Sequence, residues 1–530
     1  MAYRVRRDKE KRHRRVSRLA WAMLAAWACL LLRLALVMLV PDWVAGVRAT
    51  ARWQDHIRAR AELEHLRVVR TDDGRGRILF RNLEPWSGRR WEGRLALGRH
   101  LLFVAWHDER RRGPLWDPLV GTVGAPDVWP ARDRAVPEQG QSGLVYAWDD
   151  WLHTGRPAYV AAWRPDEVRR GAPAGEVWQM PARPGWDVVT TIDPAWQEVA
   201  SRALRQAGVP RGAVVVIDVA TRDVLAAASW DANRPQRVVA LEPAVPGSVF
   251  KLVTMAAALE SLRLRPQSWF YCPGQFRAPG VRLRCWRAHG GLTLREALAA
   301  SCDVAFAAAG LAVGAGGIAY LSHRLHLDTD GLARAGGRPA LAGLLPGRVF
   351  LGTAADDGRI ANTAIGQQDV RISPLAAANL AACIASGGWV ADARLVRGLA
   401  HGGRVRIAFP PAARLQALSA WTAAQVGRAM RDAVISPRGT ARALADAPLA
   451  VAAKTGTAEL GTSPWVNGWL VGFMPYGQPR IAFCAFAERL PSAAAHRAVV
   501  RMAAEIAAAA ARFEGGSLHT ALRQPPAVGP

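Results

Sequence analysis

The chain has 530 residues and a formal net charge of +26 at pH 7, and 51% of its residues are hydrophobic. This length and composition exclude a disordered polymer and allow two or three domains with buried cores. Nucleic acid is excluded as a partner class because we find no recognition motif and the basic residues are spread along the chain. The charge can reflect GC-rich coding as much as function, although a basic exterior also favours anionic wall polymers or lipid headgroups.

A basic tail followed by an apolar run opens the chain. Residues 1–18 contain nine basic and two acidic residues, and residues 19–40 form an apolar run with a single charge. Because such a run is long enough to span a bilayer, we predict one transmembrane anchor with a cytoplasmic tail. The remainder is then extracytoplasmic, and the protein is expected in the cytoplasmic membrane. A cleaved signal peptide is the alternative, but no clear small-x-small cleavage site follows the run.

The part of the chain between the anchor and residue 185 is rich in Trp and Pro. Short strand patterns occur there at 74–82 and 94–106, and strong helical patterns are few. Residues 41–185 are therefore predicted to form a strand-rich pedestal domain.

The pattern of predicted strands and helices changes at residue 186, where a second domain, 186–513, is predicted to begin. Strand patterns occupy 186–193 and 212–229, a helical pattern lies between them, and strand patterns return at 450–488. Ala-rich helical patterns occur in between and afterwards, at 251–263, 293–310, 374–386, 421–435 and 496–513. This order predicts an α+β fold whose antiparallel sheet unites the first and last strands and is flanked by helices. A disordered tail is predicted for 514–530.

Lysine is rare in this chain, which has four lysines and sixty-five arginines. Two of the four lie in the basic tail, and the other two are Lys251 and Lys454. Arginine is not deprotonated in proteins, whereas a desolvated lysine can lose its proton and act as a base. We therefore predict that Lys251 and Lys454 lie where chemistry requires an amine.

Ser248 lies three residues before Lys251, at the start of an apolar helical run. Positions i and i+3 share a helix face, so the hydroxyl and the amine can meet, and the amine can take the proton of the serine. The free N–H groups of a helix N-terminus can also stabilise an oxyanion. This spacing predicts a nucleophile and its base, with a simple helix cap at Ser248 as the alternative.

Two further short segments complete the predicted site. Lys454 begins the segment KTGT before a strand pattern, where a second cation would favour the neutral form of Lys251. Thr455 and Thr457 offer hydroxyls to a substrate carboxylate, and the N–H of Thr457 on an edge strand is predicted to complete the oxyanion hole with that of Ser248.

The segment SCDVAF supplies Ser301 and Asp303 between the two lysine motifs. We predict that Ser301 relays protons between Lys251 and a leaving amine. Asp303 is predicted to hold the lysine or the substrate in place, with an ordinary helix-start residue as the alternative reading.

Together these segments resemble the three motifs of the penicillin-binding transpeptidases, as Ser248-x-x-Lys251, Ser301-x-Asp303 and Lys454-Thr455-Gly456. The segment 74–82, the single anchor and the single C-terminal domain resemble the class B, monofunctional members. Asp303 stands where Asn is commoner, and the sequence Ser-Cys-Asp resembles elongation-type members. The resemblance covers about residues 66–513.

The resemblance implies a penicillin-binding transpeptidase domain of serine β-lactamase-like fold, and acyl transfer on peptidoglycan stem peptides. Ser248 would attack the penultimate D-Ala and expel the terminal D-Ala, and a side-chain amine of a neighbouring stem would take the acyl group, with carboxypeptidase activity as a possible side reaction. Thr455, Gly456 and Thr457 would bind the substrate, and β-lactams would acylate Ser248. No cofactor is required for the chemistry, and a membrane glycosyltransferase is the implied partner.

Two other functions fit the same residues. A serine β-lactamase or β-lactam sensor has the same fold, but the long pedestal and the lack of an evident deacylating group argue against it. An inactive scaffold for a cell-wall glycosyltransferase is disfavoured because all three motifs are intact.

Two further positions depart from the family pattern. Gln368 replaces the second glycine of Gly-Gln-Gly, so a different loop shape is expected there. Phe80 stands where an aspartate is usual.

Three cysteines and a histidine cluster in the sequence around the second motif: Cys272, Cys285, His289 and Cys302. Outside the membrane, a Cys272–Cys285 disulfide is one reading and free thiols are another. The four residues also form a tetrahedral zinc set. Elongation-type relatives resemble this stretch, and some carry a metal site with ligands at matching places, which implies structural Zn²⁺ that holds the second motif in register.

Overall fold

The computed structural model describes residues 66–515, with gaps at 73, 87–88, 98–99, 109–116, 125–138, 157, 164–176, 181, 279–280, 351–354 and 462–463. The predicted cytoplasmic tail and anchor, and all but the first two residues of the predicted C-terminal tail, lie outside the described residues.

The strands are numbered in chain order, and the first eight precede residue 181: β1 Leu66–Asp72, β2 Ile78–Leu79, β3 Arg89–Leu97, β4 His100–Asp108, β5 Val123–Gly124, β6 Gln139–Gly140, β7 Ala158–Trp163 and β8 Val177–Met180. Fourteen further strands are described after it: β9 Asp187–Thr190, β10 Arg211–Asp218, β11 Val224–Asp231, β12 Trp269–Cys272, β13 Gln275–Ala278, β14 Val281–Arg284, β15 Gly290–Thr293, β16 Trp389–Val390, β17 Val396–His401, β18 Arg404–Ala408, β19 Leu415–Gln416, β20 Ala452–Glu459, β21 Trp465–Met474 and β22 Ile481–Pro491.

The α-helices are α1 Asp117–Val120, α2 Gly143–Ala147, α3 Asp149–Leu152, α4 Pro194–Ala207, α5 Lys251–Glu260, α6 Leu294–Ala299, α7 Asp303–Arg324, α8 Asp357–Ala364, α9 Pro374–Ala385, α10 Ala420–Ile435 and α11 Ser492–Gly515. Short 3₁₀ turns occur at Val239–Leu241, Gly247–Phe250 and Arg442–Leu444.

A five-stranded antiparallel sheet forms the centre of the fold, with the order β11–β10–β22–β21–β20. The last strands of the chain therefore lie beside β10 and β11, whereas β9, the first strand of the predicted second domain, pairs with β17 and β2 in another sheet. Successive side chains of a strand point to opposite faces, so Val215 and Ile217 of β10 pack into one core. Val214 and Val216 pack into a second core. Helices α5 and α9 cover the first face, and α4 and α11 cover the second. The predicted α+β class is confirmed.

Helix α7 is the one described helix that is long and apolar enough to cross a membrane. It begins at Asp303, contacts α5 and α8, and has a non-helical residue at Gly314. These contacts identify it as a helix of the buried core. The sequence pattern predicted a single helix over 293–310, but α6 ends at Ala299 and α7 begins four residues later. The chain breaks because Ser301 has a left-handed φ of 55°.

Two compact units are present, and the smaller one contains the three-stranded sheet β1–β7–β8. The larger unit includes 71–93, 104–158 and everything described after residue 181. The boundary of the pedestal at residue 185 stays a prediction. Within the larger unit, Phe80 is fully buried and its ring stacks on Trp86 with 5.1 Å between ring centroids. An apolar contact therefore occupies the position where aspartate is usual.

Candidate active site

Ser248 lies in the 3₁₀ turn Gly247–Phe250, which continues directly into α5. Gly247 holds the turn in a left-handed conformation with φ 53°, and its N–H donates to Gly366 O over 2.9 Å. A Cβ on Gly247 would lie 2.3 Å from Thr457 O, and one on Gly366 would lie 1.8 Å from Gly247 O. The turn that carries Ser248 is therefore wedged between β20 and the Gly366 loop, and both neighbours approach too closely for a side chain.

Lys251 begins α5, and its side chain is fully buried. Its Nζ donates to Asp303 Oδ1 over 2.7 Å and to Ser301 O over 2.9 Å, and it lies 3.4 Å from Ser301 Oγ. Among the contacts of the described residues, there is no hydrogen bond between Lys251 and Ser248. The prediction that the amine meets the second motif agrees with this geometry, whereas the predicted contact with the serine hydroxyl is not made in this structure.

Lys454 is the second fully buried amine, and it lies on β20. Its Nζ donates to Ser301 Oγ over 2.9 Å and to Thr455 O over 2.7 Å. Burial lowers the pKa of Lys454 well below its usual value, the charge of Lys251 lowers it further, and Asp303 opposes the shift. A buried ammonium is disfavoured because desolvation penalises the charged form.

Ser301 lies between the two lysines, and its hydroxyl is within reach of both amines. Its left-handed backbone costs about 1–2 kcal/mol for a residue with a side chain. Strained backbone of this kind persists only where surrounding contacts enforce it, and it is found often at active sites. The break between α6 and α7 thus turns the Ser301 hydroxyl toward a place where a proton can pass between two amines.

Strand β20 forms an edge of the sheet, as the sequence predicted for Thr457. Thr455 is buried, whereas Thr457 is exposed to solvent. Gly456 lies between them, and a Cβ there would lie 2.8 Å from Pro246 O, so this glycine lets the strand pack against the Ser248 turn. The predicted substrate-binding segment therefore borders the candidate nucleophile. The oxyanion hole itself stays a prediction.

Thr440 is a site residue that the sequence reasoning did not single out. Thr455 Oγ1 donates to Thr440 Oγ1 over 2.7 Å, and the Thr440 N–H donates to Ala299 O over 3.2 Å. Thr440 therefore links the end of α6 to β20. The signal available in the sequence was the segment SPRGTARA, which also resembles the family.

The Gly366 loop retains a left-handed residue at the position where the family pattern has glycine. Gln368 adopts φ 57° and is exposed. The backbone of Gln368 therefore adopts a left-handed conformation that glycine reaches without strain. The substitution changes the side chain at this position while the backbone conformation still requires positive φ.

The four cluster residues around the second motif come together. One ligand atom from each of Cys272, Cys285, His289 and Cys302 lies within 4.8 Å of all the others. The three cysteines are free thiols, so the Cys272–Cys285 disulfide is not formed in this structure. Cys285 Sγ accepts the Asp303 N–H over 3.3 Å, which joins the cluster to the second motif.

The chemistry of this donor set fits a soft, tetrahedral metal ion. The hydrogen bond with the Cys302 thiol lowers the pKa of Cys285 to about 5, and the same contact raises the pKa of Cys302. His289 Nδ1 lies 3.5 Å from Cys285 Sγ, and its buried Nε2 has no hydrogen-bond partner among the described residues. Three sulfur ligands and one imidazole are a set that Zn²⁺ prefers.

Comparison with known proteins supplies the family. A family model described as the penicillin binding protein transpeptidase domain matches residues 212–508. The peptidoglycan D,D-transpeptidase PbpA of Mycolicibacterium smegmatis is 30% identical over 344 residues, which cover 57% of this chain and 67% of the relative. PbpA of Mycobacterium tuberculosis is 27% identical over 343 residues, with the same two coverages.

Solved structures show the same fold. The D,D-transpeptidase domain of a peptidoglycan glycosyltransferase from Eggerthella lenta has a TM-score of 0.63 at 22% identity, covering 83% of this chain and 99% of that one. Pseudomonas aeruginosa PBP2 in complex with WCK 5153 also has a TM-score of 0.63 at 22% identity, covering 87% of this chain and 100% of that one.

Proposed function

This chain belongs to the penicillin-binding protein transpeptidase family, and from that premise we propose that it cross-links peptidoglycan stem peptides through an acyl-enzyme at Ser248. The observation that carries the proposal is the pair of buried amines, Lys251 and Lys454, that meet at the Ser301 hydroxyl beside the Ser248 turn. The family match identifies a serine D,D-transpeptidase of cell-wall synthesis, and the site supplies the groups that its chemistry requires.

Acylation begins when Ser248 Oγ attacks the carbonyl of the penultimate D-Ala. The serine proton passes to the Lys251 amine, and backbone N–H groups of the turn and β20 stabilise the oxyanion. The tetrahedral intermediate then collapses, the peptide bond breaks, and the leaving D-Ala amine receives a proton through Ser301. The bond that remains is an ester between Ser248 and the donor stem.

Deacylation reverses these proton movements. A side-chain amine of a second stem peptide attacks the ester carbonyl, loses a proton to the same relay, and releases Ser248 as the new amide bond forms. Lys454 can hold a neutral amine because of its lowered pKa. It can therefore accept the Ser301 proton while Ser301 accepts one from Lys251, so the charge moves without leaving the buried site.

Intact-mass spectrometry of the purified protein after incubation with penicillin tests this function. We expect a single covalent adduct that maps to Ser248, and none in Ser248→Ala. The lifetime of the adduct separates a transpeptidase from a β-lactamase, since hours indicate a synthase and seconds indicate a lactamase. An adduct on another residue would contradict the assignment of Ser248, and absence of any adduct in the wild type would contradict the function.

We also propose that Cys272, Cys285, His289 and Cys302 hold a structural Zn²⁺. When bound, the ion would supply a cross-link and no step of the acyl transfer. Because Cys302 lies between Ser301 and Asp303, and Cys285 accepts the Asp303 N–H, its loss is expected to loosen the second motif. Metal analysis is expected to find one zinc per chain, with chelation lowering the unfolding temperature. A zinc-free protein with unchanged stability would contradict this proposal.

The cellular setting is part of the same proposal. The apolar run 19–40 supports a single-pass anchor in the cytoplasmic membrane with the catalytic domain outside. The Ser-Cys-Asp form of the second motif supports an elongation-type role alongside a membrane glycosyltransferase. Protease protection of the N-terminal tail in sealed, right-side-out membranes tests the orientation, and full digestion of the tail would contradict it.

A further inference from the structure

The part of the larger unit that carries the cysteine cluster has a strongly basic outer face. Residues 261–295 contain seven arginines and no acidic residue. Arg295 is paired with Asp432, and the six others are exposed. They are Arg263, Arg265, Arg277, Arg282, Arg284 and Arg287. Such a stretch attracts polyanions, because no carboxylate within it offsets the charge.

The hairpin formed by β13 and β14 concentrates this charge on one side. Arg277 lies directly opposite Arg282, and Gln275 lies opposite Arg284. All four side chains are exposed and share one face of the hairpin. Like charges directly opposite each other on neighbouring strands destabilise a sheet. An anionic ligand bound to this face would offset the repulsion.

Aromatic rings lie on the neighbouring strand. Trp269 and Tyr271 alternate with inward residues along β12, and they are 66% and 62% exposed. Their rings are stacked, with 6.3 Å between centroids and 24° between planes. Trp269 lies closely over Gly291, where a Cβ would come within 2.8 Å of the ring. Glycine at 291 therefore lets the ring approach the backbone closely.

A cleft of about 480 Å³ joins the aromatic strand to the basic hairpin. Tyr271, Gln275 and Arg277 line its sides, and Val304 and Ala308 of α7 line its base. The Arg277 guanidinium donates to Gln275 Oε1 over 3.1 and 3.3 Å. Val304 directly follows Asp303, which contacts Lys251. The cleft therefore lies against the first turns of the helix that carries the second motif.

We propose that this cleft and its basic, aromatic rim bind the glycan strands of peptidoglycan. The C–H faces of pyranose rings pack on exposed aromatic rings, and the arginines suit the carboxylates that the attached stem peptides carry. An anionic lipid surface would require charge without the stacked rings and the cleft. The inference rests on the proposed function, since it assigns that enzyme a second contact with its own polymeric substrate.

The test measures binding of the full-length, detergent-solubilised protein to purified insoluble sacculi, after saturation with penicillin to block the active site. The two cleft variants are Trp269→Ala/Tyr271→Ala and Arg277→Gln/Arg282→Gln. The matched control is Trp421→Ala/Arg404→Gln, which removes an exposed aromatic ring and an exposed arginine elsewhere. Each variant is checked for folding by its rate of penicillin acylation before saturation.

We expect each cleft variant to lose about tenfold in affinity for sacculi, while the control binds as the wild type does. The arginine variant should also show a weaker dependence of affinity on salt. Acylation rates should stay within about twofold. Either cleft variant that folds and binds sacculi like the wild type overturns the inference. Binding of the same variants to phosphatidylglycerol vesicles is measured alongside. If the variants lose affinity for the vesicles and not for sacculi, the inference is also overturned, because the rim would then bind a membrane surface. Failure of the proposed function appears separately, as a wild-type protein that penicillin does not acylate at Ser248.

Discussion

Lys454 Nζ lies 2.9 Å from Ser301 Oγ, and the same hydroxyl lies 3.4 Å from Lys251 Nζ. The only two lysines beyond the basic N-terminal tail therefore converge on one serine, and both are fully buried. Arginine cannot replace either of them, because a guanidinium keeps its proton. The proposed catalysis depends on these two amines and on their ability to exchange protons.

Lys454→Met is expected to lower the acylation rate by roughly 10²–10⁴-fold, because the relay loses one amine. The same change should raise the stability of the fold at neutral pH, since a buried amine with a lowered pKa resists protonation. The wild type loses stability as the pH falls below the usual lysine pKa of 10.5, because Lys454 binds a proton more readily in the unfolded chain than in the folded one. The variant has no such loss. Thermal unfolding across this range should show the largest gain at the lowest pH and none near 10.5. A gain that does not change with pH would contradict the assignment.

Asp303→Asn should retain acylation within about tenfold of the wild type, because the amide oxygen can still accept the hydrogen bond from Lys251. Asp303→Leu removes the acceptor beside a buried amine and should lower the rate by at least about a hundredfold. Stopped-flow measurement with a fluorescent penicillin compares the two. Equal rates in both variants would show that Asp303 is only a helix-start residue.

Gly247→Ala should disable the site, because the new Cβ would lie 2.3 Å from Thr457 O and must displace the turn or β20. A shift of about 1 Å in the reacting groups costs roughly a hundredfold in rate. Gly402→Ala is the matched control, since Gly402 has φ 62° and open space where its Cβ would lie. It should lose a little stability and no acylation rate. Similar rates in the two variants would show that the close approach of β20 is dispensable.

Arg222→Met should destabilise the fold without touching the active site. Arg222 is buried, and it donates to Ala382 O over 3.1 Å, to Trp389 O over 2.7 Å and to Ser386 Oγ over 2.7 Å. Burial lowers its pKa to about 10. Its removal deletes three hydrogen bonds from a charged, buried donor, at a cost of about 3 kcal/mol. Denaturant unfolding measures the loss. Arg234→Met, at an exposed position, serves as control, and an equal effect in both would contradict this role.

Local patterns predicted most of the fold and the site. The strands around Ile217 and Leu470 and the helix that begins at Lys251 follow from alternation and helical spacing, which depend on near neighbours in sequence. The left-handed break at Ser301 and the contact between Thr440 and Thr455 could not be predicted this way. Both depend on residues far apart in the chain that the sheet brings together. The failure of Lys251 to reach Ser248 directly has the same origin, since its amine is drawn to Asp303.

The conformation of the Gly366 loop illustrates the same limit. Sequence reasoning expected a different shape because Gln368 replaces glycine. Gln368 adopts positive φ, and a loop shape that differs from that of the family stays a prediction.

The central claim is that Lys251 is a base for Ser248 and not only a buried cation. Lys251→Arg retains the positive charge and removes the ability to lose a proton, so the rate of penicillin acylation at Ser248 tests the claim most directly. Intact-mass measurements over time, on protein whose unfolding temperature matches the wild type, are expected to show the rate falling by at least about a hundredfold. Acylation of Lys251→Arg at a rate near that of the wild type would contradict the account.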